Sequence, residues 1–459
     1  MRKFFYAIVA CALIALPFTS CSDDDDDKPF IPTEQVTNLS FVDTDKEVFL
    51  IGGTLSWTLP ASEENISGYV IYLSESPTAK GAKLGEVEKG ATSFAVPDGT
   101  EINAYLHVVA KNSLGESEKT ASIAVKDVLP ELGPIVFNNG LFILNGGNYN
   151  ANNASISFFD FSTGQMKTDI YQNINGSGLG DSAEEALVYG SKVYVAVTTS
   201  NRLVVLTKDG RELTSYTPTR NGEPMNPRGM VAKDGKIYIS YFYGHEVAVL
   251  DTASLTIENT IPVGRYPEKL AAANGKIYVT NSGGLDHPNY GNTVSVIDPE
   301  TMTVEDEIEV LINPGSIVAD SEGDLYVVSL GNYVDVKNTL QRIDKTTGEV
   351  STICNASKIA LANDKIYLMY AQWGVETPEF KIYDTLTEEI IEDNFIKDGT
   401  TITSPNAITV DPVTEKIYIT YYDYMSTASL YIFGKDGKLE GSPIDTGGYD
   451  SKWMFVMND

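Results

Sequence analysis

The sequence holds 459 residues, 42% hydrophobic, 21% charged and 10% aromatic, the balance of a folded chain of two or three domains. Its formal charge of −30 argues against a nucleic-acid partner, because phosphate binding needs a basic footprint. The 26 tyrosines favour strands, since rings fit a pleated, half-buried surface.

In chain order, residues 1–20 read as an export signal. Arg2 and Lys3 precede the apolar run at 4–16, and Pro17, Thr19 and Ser20 lead to Cys21. The run is too short to span a bilayer comfortably as a helix. Residues 21–32 form an acidic tether, because the like charges of Asp23 to Asp27 repel and stay extended. A cysteine after small residues at the end of a signal resembles a bacterial lipobox, which implies a lipid on Cys21. The aspartate run resembles the export signal that sends Bacteroidetes lipoproteins to the cell exterior. Together these resemblances imply an outer-membrane protein held on the cell surface by its lipid. Once the signal is removed, only Cys21 and Cys354 remain, and a lipidated Cys21 has no partner to offer. Cys354 is then expected to be a buried small hydrophobe.

Residues 33–128 predict one small all-β domain. Strand patterns recur at TLSWTL (54–59), GYVIYL (68–73), TSFAVP (92–97), AYLHVVA (104–110) and ASIAV (121–125), separated by turn-forming clusters. Trp57 in an early strand and Tyr105 opening a late one resemble a fibronectin type III module, which implies a sandwich that acts as a spacer.

Residues 133–459 repeat. The unit is a first strand, a turn, a second strand ending in Lys-apolar-Tyr, a variable loop, a third strand ending near Asp, and a tight turn. Equivalent aromatics are Phe142, Tyr194, Tyr238, Tyr278, Tyr326, Tyr367 and Tyr418. Their spacings of 52, 44, 40, 48, 41 and 51 residues, with four strands each, predict a seven-bladed β-propeller. Asp160, Asp251, Asp298, Asp344 and Asp384 suit turn positions where the side chain bonds the backbone ahead. The C-terminal KWMFVMND (452–459) is shaped as a first strand with no second after it. It is expected to close the ring against 141–145, with PIVF (134–137) as a rival. The whole chain is therefore expected to be all-β, a fibronectin-like sandwich followed by a propeller.

Two passages carry a family resemblance. LNGGNYNANNASISFFDFSTGQ (144–165) and NGSGLGDSAEEALVYGSKVYV (175–195) resemble the start of propeller lipoproteins on the surface of Bacteroidetes. KIYVTN (276–281) is similar to the YVTN-type repeat. The resemblance implies a surface receptor that captures a nutrient, cobalamin being the best-understood case, for an outer-membrane transporter.

No nucleophile elbow, phosphate loop or CxxC pair is visible, so no cofactor and no catalytic residue is expected. His107, His245 and His287 are too few for a multi-histidine metal centre, although Asp286 beside His287 keeps a metal conceivable. Glu184, Asn406 and Asp450 at strand-leading positions leave a calcium-dependent lactonase open. The loops between second and third strands are rich in aromatics, Asn and Gly, which suits a ring-bearing small molecule or a glycan. The expected ligand contacts are Tyr149, Tyr243, Tyr290, Tyr333, Trp373 and Tyr422, with Arg228 and Lys269 as polar or anionic contacts. A glycan-binding or adhesive surface protein is the main alternative.

Overall fold

The computed structural model describes residues 30–45, 50–126, 136–372 and 375–458. Cys21, the acidic run and Trp373 lie outside them. The chain divides into two compact units, 1–131 and 132–459. Both are all-β, and the one helix among the described residues is Ile170–Asn175. No helix among them is long and apolar enough to cross a membrane.

In the first unit two antiparallel sheets enclose one core. Thr37–Asp43, Leu50–Thr58 and Ser93–Glu101 form one sheet. Ala82–Glu88, Gly68–Ser74, Tyr105–Asn112, Gly115–Glu116 and Ala121–Ala124 form the other. Trp57 meets Tyr69 edge-on at 5.9 Å inside this core. His107 is buried there, with its ring nitrogens 2.9 Å from the Thr120 hydroxyl and from the Ser76 carbonyl.

The second unit contains seven four-stranded antiparallel sheets, one per sequence repeat. The first joins both ends of the repeat region: Ser451–Met457 pairs with Gly140–Asn145, Phe455 opposite Phe142. The two rings stack at 4.7 Å. The C-terminal strand thus takes the slot for which PIVF was the rival. Residues 134 and 135 are outside the described set, and Phe137 is buried in the core between the first and second sheets without being in a strand. The first strands of the second to seventh sheets are Ala183–Tyr189, Pro227–Lys233, Pro267–Ala273, Pro314–Ala319, Lys358–Ala362 and Pro405–Val410. Each packs against the next, Pro405–Val410 packs against Ser451–Met457, and Ser451–Met457 packs against Ala183–Tyr189. The short helix was not legible in the sequence; Ile170 and Tyr171 anchor it in the core.

The tight turns follow from their residues. Asp160, Asp251, Asp298, Asp344 and Asp384 each accept a backbone N–H from two residues ahead, at 2.7–3.1 Å.

Six of the seven first strands shift register at their second residue: at 184, 228, 268, 315, 406 and 452. A bulge of this kind leaves a residue unpaired and re-aims its side chain. It also leaves a backbone N–H to satisfy. Ser240, Thr280 and Thr420 on the second strands do this. Their hydroxyls accept from the N–H of Gly229, Lys269 and Ala407 at 2.8–3.1 Å. They donate in turn to the carbonyls of Glu268, Gly315 and Ser451 in the next sheet. The bulges and the joints between sheets are therefore one device.

Candidate functional site

The first strands surround a channel. Two neighbouring cavities, of about 230 and 470 Å³, are together lined by residues from all seven of them. The residue second in each first strand is Glu184, Arg228, Glu268, Gly315, Asn406 and Lys452 in the six bulged strands. Lys358, first in the unbulged strand, stands at the equivalent place after Ser357.

This ring carries a network of ion pairs. Arg228 bridges Glu184 at 3.3 Å and Glu268 at 2.6 Å. Lys452 bridges Glu184 at 3.2 Å and Asp450 at 2.7 Å. One residue further along, Lys269 pairs with Glu185 at 2.7 Å and lies 4.7 Å over the Trp453 ring. Burial alone would raise the Glu184 carboxyl, but Arg228, Lys452 and Lys269 outweigh it and hold it at about 2. Burial wins at Glu185, whose carboxyl is raised although Lys269 and the Met230 N–H favour its charged form. Burial also pushes Lys358 below the ordinary lysine range, and the Lys452 ammonium adds to this.

The loops between second and third strands end at the same ring. Phe242 lies 4.7 Å from the Arg228 guanidinium, and the Ser282 hydroxyl is 3.4 Å from the Glu268 carboxylate. From Phe242 outward, rings adjoin one another. Tyr243 and Tyr266 meet at 6.0 Å, His245 and Tyr266 at 4.7 Å, and Tyr290 and Tyr333 at 6.4 Å. The Arg265 guanidinium joins the two groups by donating to the Asn289 carbonyl at 3.1 Å and pairing with Asp286. The result is an aromatic arc across the third, fourth and fifth sheets.

The backbone sets several of these rings. In five repeats the residue just before the first strand has a left-handed φ: Ser182, Asn226, Tyr266, Asn313 and Asp450. Four are small and polar, the kind that tolerates this conformation, and Tyr266 is not. His245, Tyr333 and Tyr424 share the strain, with φ of 54°, 60° and 66°. Bulky side chains held this way persist only where the surroundings over-determine them, and such places cluster at binding sites.

Residues 139–438 match the family described as "Domain of unknown function (DUF5074)". The chain belongs to this family. The DUF5074 stretch runs from the strand Gly140–Asn145 into the seventh sheet and holds the whole aromatic arc. No curated protein matches the chain. A functionally unknown protein from Desulfotomaculum acetoxidans is similar in structure, at 15% identity and a TM-score of 0.50, covering 70% of this chain and 99% of its own. At that identity the likeness speaks for the fold alone. A protein of unknown function from Bacteroides caccae matches at 11% identity and a TM-score of 0.42, covering 69% and 98%.

Within the DUF5074 stretch, the expected contact residues divide. Tyr149, Tyr243 and Tyr333 are exposed, at 76%, 50% and 59%. Tyr290 is half-buried between His287 and Tyr333. Tyr422 does not offer its ring: it is 3% exposed and its hydroxyl donates to the Asn148 side chain. Its neighbour Tyr424 is the exposed ring there, at 79%. Lys269 lines the channel and Arg228 belongs to its ring of ion pairs, but carboxylates of the chain already engage both. The lactonase constellation is brought together as well, around a cation of the chain itself. Asn406 donates to Asp450 at 3.0 Å, and Lys452 stands between Asp450 and Glu184. Asp286 is taken by Arg265 rather than by His287, and no group of three metal-ligating side chains occurs among the described residues.

Sequence reasoning missed Tyr266, Glu268, Lys358 and Lys452. The signal was register: each stands at or next to the residue that opens a first strand, most often a proline.

Proposed function

We propose that this protein is a lipid-anchored cell-surface receptor that captures a ring-bearing nutrient on its loop face for an outer-membrane transporter. The observation that carries the reading is the arc of Tyr243, Tyr266, Tyr290 and Tyr333, exposed or half-exposed beside the channel mouth. Rigid aromatic faces give a large contact area at low entropic cost, and functional variation collects in loops on a rigid scaffold. We read the second unit as a seven-bladed β-propeller. Seven four-stranded sheets, the cyclic order of their first strands and a first sheet made from both ends support this. We read the first unit as a fibronectin type III-like spacer, on the strength of its two sheets around Trp57.

The likeness to surface propeller lipoproteins makes cobalamin the first probe. A glycan is the second reading, because the exposed Tyr243 and Tyr333 offer a stacking face. Titration of the full-length protein with cobalamin, and exposure to a glycan panel, separates the two. Saturable cobalamin binding supports nutrient capture, glycan binding alone supports the second reading, and neither overturns both. On the anchor, Cys21→Ala is expected to release the protein from membranes. Wild-type recovery in the membrane fraction would sink that part.

A further inference from the structure

The channel contains one cation that the chain's own carboxylates leave unmatched. Glu184, Glu185, Glu268 and Asp450 are engaged by Arg228, Lys269 and Lys452. Among the described residues no carboxylate stands within ion-pair distance of Lys358. Its side chain is exposed, yet protein surrounds it, because it lines the 230 Å³ cavity rather than the outer surface. An ammonium facing such a cavity with no carboxylate against it favours an anion beside it.

The surroundings define that anion. Ser316 lines the cavity beside Lys358, and Gly315 carries no side chain where other repeats place Glu184, Arg228, Glu268, Asn406 and Lys452. Ser316, Val318, Ile359 and Trp453 line both cavities, so the space around Lys358 continues into the 470 Å³ cavity. Beyond Lys269 and Glu185, that second cavity is walled by aliphatic side chains such as Val188, Val231 and Ala272. A single unmatched positive charge suits a single negative one. A phosphate dianion would bring a second charge facing Glu184 with no free cation to meet it.

We propose that the channel binds a small organic monocarboxylate with an apolar body, its carboxylate paired with Lys358 and its body in the apolar cavity. This site is separate from the loop-face reading and stands or falls without it.

The test uses octanoate and octanol as probes, titrated calorimetrically into the full-length protein and into Lys358→Met and Lys358→Gln. Octanoate is expected to bind the wild type at least about 10-fold more tightly than octanol, and each variant is expected to lose about 10- to 100-fold for octanoate only. The thermal melt of either variant should match the wild type, since Lys358 has no partner to lose; one folded variant suffices for the test. Tyr243→Ala with Tyr333→Ala should leave octanoate binding unchanged, which separates this site from the loop face. Octanoate binding no more tightly than octanol, a folded Lys358 variant binding octanoate like the wild type, or inorganic phosphate displacing octanoate with equal affinity would each overturn the proposal.

Discussion

Where the first strands begin, charged side chains are packed against one another. A few residues away, on the loops, aromatic side chains stand in water. Both sets line the same mouth, and the contrast separates what folding requires from what folding tolerates. Glu184 is held at about 2 by three cations, so it is part of how the sheets join. Tyr149 and Tyr333 are more than half exposed, so packing gives little reason for them. Substitutions in the two sets should therefore fail differently.

The largest effect is expected from deleting 452–459, which removes part of both sets' support. Lys452 leaves the ring, and buried Met454 and Met457 and the Phe455–Phe142 stack leave the core. Burying each large side chain is worth roughly 1.5–3 kcal/mol, comparable in sum to a whole domain's net stability of about 5–15 kcal/mol. The second unit is expected to lose cooperative unfolding in a circular-dichroism melt. A truncated chain that melts like the full one would show that another segment closes the first sheet.

Next is Lys269→Met, which breaks the ring and spares the loops. It leaves Glu185 buried beside Glu184 without its cation, at a cost of about 3–5 kcal/mol. Glu185 already has a raised carboxyl. Its charged form is the costly one, so the loss should be smallest in acid and grow as pH rises through the folded-state value. Denaturant titrations at several pH values check this, and a loss independent of pH would count against it.

Glu184→Gln should cost somewhat less, and its loss fades in a lower pH window. Its carboxyl is held at about 2 in the folded chain against an ordinary 4.5. A depressed acid stabilises the fold above its unfolded value and loses that contribution as pH falls through the folded one. The substitution is expected to cost roughly 3 kcal/mol at neutral pH. The difference from wild type should shrink between pH 4.5 and about 2. Losses that fade in separate windows, below pH 4.5 for Glu184 and above it for Glu185, would be hard to obtain from any account that treats the ring as generic surface charge.

The two sets also differed in how legible they were. The repeat was readable because four-strand units carry a Lys-apolar-Tyr triplet and an Asp turn at fixed places; the triplet opens the second strand instead of ending it, and each Asp makes the expected backbone bond. The loop rings were readable as composition. Their burial was not: Tyr422 and Tyr424 are two residues apart in one loop, and Tyr422 turns inward with its hydroxyl on Asn148, which is distant in the sequence. The ring was barely readable. Its members lie roughly 40–50 residues apart, have no single residue type in common, and in six of the seven strands become equivalent through a bulge that sequence periodicity does not reveal. Arg228 and Lys269 were picked out as cations, but their partners come from other sheets.

The most direct test of the account is the affinity of the Tyr243→Ala, Tyr333→Ala double variant for whichever probe, cobalamin or glycan, the wild type binds. Each ring contributes on the order of 0.5–1.5 kcal/mol beyond its buried area, so binding should weaken by about 10-fold or more. The melting temperature should barely move, because exposed substitutions usually stay within about 0.5 kcal/mol. Unchanged affinity in the folded double variant, or lost folding in place of lost binding, would contradict the loop face as the ligand surface.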